Sequence, residues 1–98
     1  MSATHIQGMF GVTLDDLCSK WGFPYPNYIK IDVDGIEISI LKGAESVLAN
    51  PALRSVIIEL GTDEEQAKAI TLMKQADLEV KQRSTRNWGE AYLIFERI

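Results

Sequence analysis

The sequence predicts an α/β fold: a mostly parallel sheet with flanking helices, closed by a C-terminal antiparallel strand pair. Three observations carry this. Tyr28-Ile29-Lys30-Ile31-Asp32-Val33 alternates apolar and polar residues, turns at Gly35 and enters a helix. Val56-Ile57-Ile58 is a continuous apolar run, the pattern of a parallel strand buried on both faces. The last two strand patterns are joined by a short loop with no helix between them, so they pair antiparallel.

Thr13 is positioned to cap a first helix over residues 14–21, with Asp16 three residues on as in a capping box. Leu14, Leu17, Cys18 and Trp21 share one face of it, and Trp21 is expected to close it against the core. The prolines of Gly22-Phe23-Pro24-Tyr25-Pro26-Asn27 make a connecting loop. A strand over 28–33 follows, then one helix over 36–49 with Ile36, Ile40, Leu41, Ala44, Val47 and Leu48 as its stripe, stopped by Asn50-Pro51. Residues 55–60 form a second strand. Thr62 with Glu65 makes a capping box for a third helix, whose stripe is Ala67, Ile70, Met73 and Ala76 or Asp77. Strands over 78–82 and 91–97 flank a loop at 84–90. Met9 to Val12 carries a weak strand signal. The first three strands are expected to be parallel through right-handed crossovers.

The chain of 98 residues is sized for a single domain, with residues 1–27 as lead-in and 28–98 as core. A net charge of −4 argues against nucleic acid as a partner. Lys81, Arg83 and Arg86 are the nearest approach to a basic cluster and read as a solvated edge. The single cysteine, Cys18, excludes an intrachain disulfide, fits a reduced cytoplasmic setting and reads as a packed free thiol. With His5 the only histidine, no tetrahedral zinc site is expected. No stretch approaches the roughly 18 apolar residues of a membrane span, so no membrane association is expected.

Four segments in order, Thr13-Leu14-Asp15-Asp16-Leu17, Tyr28 through Glu37, Leu41-Lys42-Gly43-Ala44 and Val56-Ile57-Ile58-Glu59-Leu60, resemble the FkbM family of S-adenosylmethionine-dependent methyltransferases. The resemblance is good from Val12 to Leu60 and loose beyond. It implies part of a Rossmann-like methyltransferase fold, S-adenosylmethionine as cofactor and a small-molecule acceptor, a hydroxyl on a sugar or secondary metabolite. In that fold the first strands and a glycine-rich turn hold the cofactor. The 27 residues before Tyr28 are too few for those strands. The chain is therefore expected to correspond to the C-terminal half of such an enzyme and to be inactive alone.

Ligands in open α/β sheets bind at the carboxyl ends of strands. Asp32 and Asp34 are the candidate catalytic groups, as carboxylates that orient an acceptor hydroxyl or take its proton. Glu37 and Glu59 are expected nearby at the same sheet edge, with Lys30 as an ion-pair partner and Trp88 as a loop aromatic able to stack on substrate. Each has a plainer reading, with Asp34-Gly35 a simple turn, Glu37 a first-turn acid suited to the helix dipole, and Trp88 folded back over the sheet. No metal site is expected. Asp-Val-Asp-Gly also fits a DxDG phosphatase or a DxD glycosyltransferase, the latter because paired carboxylates suit hard cations. Ile36 after the glycine and Glu59 ending the next strand disfavour the phosphatase. A non-catalytic assembly or binding domain is the remaining alternative. The strand over 28–33, left at a sheet edge, is expected to recruit a second copy, a separate missing-half partner, or Met9–Val12 as cover.

Overall fold

The computed structural model describes residues 13–31, 37–85 and 91–98. Within them lie α1 (Leu14–Ser19), β1 (Tyr28–Ile31), α2 (Glu37–Lys42), α3 (Glu45–Ala49), β2 (Ser55–Leu60), α4 (Asp63–Gln75), β3 (Leu78–Thr85) and β4 (Ala91–Arg97). The expected strand at Met9–Val12 lies outside the described residues.

The sheet has the order β1-β2-β4-β3. β1 and β2 are parallel, and β4 is antiparallel to both β2 and β3. The sheet is thus mixed rather than mostly parallel. β3 runs in the direction of β1 and β2 as expected, but β4 inserts between it and β2. The side chains explain the order. Ala91, Leu93 and Phe95 bury one face of β4, which suits an interior strand. β3 is exposed from Lys81 to Thr85, and charged and polar residues suit a sheet edge. A bulge between Val80 and Gln82 leaves Lys81 without a partner on β4.

Ile29, Ile31, Val56, Ile58, Leu60, Leu78, Leu93 and Phe95 point to one face of the sheet and form the core with Leu14, Leu17, Leu41, Val47, Leu48, Ala69 and Met73 of the helices. The opposite face carries Lys30, Ile57, Glu59, Tyr92, Ile94 and Glu96, all half-buried. Among the described residues no helix covers it. Ile57, half-buried, turns away from the helix layer, so among the described residues β2 is fully buried on one face.

Local chemistry sets the element ends. Thr13 Oγ1 accepts from Asp16 N at 3.0 Å, and Thr62 Oγ1 accepts from Glu65 N at 3.1 Å. These are the two caps the sequence predicts. The single helix expected over 36–49 is instead two. Ala44 leaves helical geometry (φ −125°, ψ 22°), and the Asp15 carboxylate accepts from Ser46 N at 2.9 Å and Val47 N at 2.8 Å. A fresh helix therefore begins at Glu45.

Two packing expectations change. Trp21 is 66% exposed because α1 ends at Ser19 and Gly22, at φ 73°, turns the chain away. α4 buries Gln66, Ala69 and Met73 rather than a stripe through Ala67 and Ile70, and Ile70 is exposed. Cys18 is buried and free, its thiol 3.8 Å from the Pro24 carbonyl.

Arg97 closes the end of the sheet. Its guanidinium donates to the carbonyls of Leu53 (3.1 Å), Ala76 (2.5 Å), Leu48 (2.7 Å) and Asn50 (2.8 Å). One planar cation thereby satisfies carbonyls at the ends of both α3 and α4, where the helix dipole favours positive charge.

Candidate functional site

Parallel β1 and β2 both end at the side of the sheet where α2 and α4 begin. This carboxyl edge is where a site belongs in such a sheet. Asp32 and Asp34 fall on the connection from β1 to α2, outside the described residues, as does Trp88. The remaining candidates can be placed.

Glu37 opens α2 and is 6% exposed, a buried acid in a first helical turn. Its position suits the dipole reading, and its burial marks it out from the exposed Asp63 and Glu64 of α4. Glu59 sits one residue from the end of β2, paired in register with Tyr92 of β4. Lys30 lies on β1 beside Ile57 and has no ion pair with a described residue. The candidates divide between two layers. Glu59 and Lys30 share the sheet face turned away from the helices, while Glu37 belongs to the helix layer.

Gln66, in the first turns of α4, was not among the sequence candidates. It is 4% exposed, and its Nε2 has no hydrogen-bond partner among the described residues. A buried amide donor without an acceptor costs about 1–3 kcal/mol. The signal for it was present: Gln66 stands three residues before Ala69 and seven before Met73, a polar residue on the apolar stripe.

Carboxylates at Glu37 and Glu59 and an amide donor at Gln66 are groups that bind hydroxyl, amino and carboxyl functions. Glu59 lies across the sheet from Glu37 and Gln66, so the described residues do not gather these three groups into one donor set. Among the described residues no group of His, Cys, Asp and Glu is arranged to hold a metal ion. No helix of the described residues is long and apolar enough to cross a membrane.

Two shallow grooves lie elsewhere, on the outside of the helix layer. One of about 390 Å³ runs between α2 and α4 past Ile38, Lys42 and Leu72, and one of about 310 Å³ continues past Leu41, Leu48 and Ala76. Neither is lined by Glu37, Glu59 or Gln66. The described basic residues of β3 are exposed and paired: Lys81 Nζ lies 2.6 Å from Glu79 and Arg83 lies 3.8 Å from Asp63.

The family model described as Methyltransferase FkbM domain matches residues 9–91. No curated protein and no solved structure gives a significant match.

Proposed function

The chain belongs to the FkbM methyltransferase-domain family, and we propose that its carboxyl-edge acids serve S-adenosylmethionine-dependent methylation of a hydroxyl on a small molecule such as a sugar or secondary metabolite. The observation that supports this most is the buried acid Glu37 at the head of α2, where β1 delivers the chain to the carboxyl edge.

In this reading the cofactor supplies an electrophilic methyl group bound to sulfur. Asp32 and Asp34, on the β1–α2 connection, orient the acceptor hydroxyl and take its proton. Glu37, buried in the first turn of α2, fixes the start of the helix that follows that connection in sequence. Gln66 Nε2 donates to a ligand oxygen or nitrogen, which would offset the cost of burying it. Glu59, on the other face of the sheet at the same height, binds a hydroxyl or amino group of the ligand rather than sharing the proton transfer. Trp88 is available to stack on the acceptor.

The chain alone is expected to be inactive, so the test is methyl transfer from isotopically labelled S-adenosylmethionine to a panel of polyhydroxyl acceptors by the chain supplied with a separate cofactor-binding half. Loss of general-base help is worth about 10²–10⁴-fold in rate. Asp32→Asn or Asp34→Asn should lower turnover by that order while leaving cofactor binding in place. Unchanged turnover in both variants would remove the acids from the mechanism.

A further inference from the structure

We draw no further inference here: the strongest candidate, the buried Gln66 amide in the first turns of α4, belongs to the candidate site already described.

Discussion

Asp15 and Gly43 meet across the start of α3: Asp15 N donates to Gly43 O at 3.0 Å, and the Asp15 carboxylate caps the N–H groups of Ser46 and Val47. The contact joins two of the family-like segments, Thr13 to Leu17 and Leu41 to Ala44. It assigns both to holding the helix layer together rather than to chemistry. Replacing a side-chain cap by alanine costs about 0.5–2 kcal/mol. Asp15→Ala should therefore lower the melting temperature by several degrees, with Asp15→Asn intermediate. Thermal unfolding followed by circular dichroism decides it, and an unshifted midpoint would mean the cap carries no stability.

At the same junction Gly43, in the turn between α2 and α3, behaves differently from a glycine inside a helix. Gly→Ala within a helix ordinarily stabilises by about 0.5–1 kcal/mol. At Gly43 an added Cβ would stand 2.8 Å from Thr13 Cγ2 and 3.0 Å from Thr13 Cβ. Gly43→Ala is expected to destabilise. Thr13→Ser keeps the hydroxyl cap to Asp16 but removes Cγ2, so the double variant should recover part of the loss. A double-mutant cycle in denaturant measures this coupling, and strict additivity would contradict it.

Much of the architecture was legible in the sequence because its causes are local. The strands at Ser55–Leu60 and Ala91–Arg97, the caps at Thr13 and Thr62 and the buried Cys18 follow from patterns spanning a few residues. The break between α2 and α3 was not legible, because its cap comes from Asp15 on another helix, far away in sequence. The insertion of β4 beside β2 depends on which strand can tolerate an edge, a comparison between strands rather than a property of one. At the candidate site, Glu37 and Glu59 were expected together at one sheet edge, and their separation onto two layers needs the pleat and register of the sheet. Asp32, Asp34 and Trp88 lie outside the described residues.

Arg97 should be among the most sensitive positions. Hydrogen bonds to a charged group contribute about 1.5–3 kcal/mol, and four carbonyls depend on this one. Arg97→Lys is expected to cost about 3 kcal/mol, since an ammonium cannot reproduce the planar fork. Urea denaturation would show the midpoint falling; a lysine variant as stable as the parent would remove the clamp from the account.

Asp77 sits at φ 63°, in the left-handed region after α4. Asp77→Gly should stabilise by about 0.5 kcal/mol, because glycine takes that conformation without the Cβ penalty. The Ile98 N to Asp77 O bond at 2.9 Å is backbone and survives the change. A lower melting temperature would show that the aspartate side chain contributes something the backbone geometry does not reveal.

Burial, and secondarily the Asp15 carboxylate, push the Cys18 thiol above its ordinary 9.0. The folded state therefore holds this proton more tightly than the unfolded state. The resulting stability is complete below about pH 9 and is lost as pH rises through the folded value. Cys18→Ala should flatten the alkaline limb of stability against pH. An identical slope in parent and variant would contradict the shift.

Cofactor recognition is the claim on which the functional reading stands, and isothermal titration of the folded chain with S-adenosylhomocysteine tests it most directly. Saturable binding that Glu37→Gln weakens is expected. Absence of heat at millimolar ligand, with the chain shown folded by circular dichroism, would contradict it.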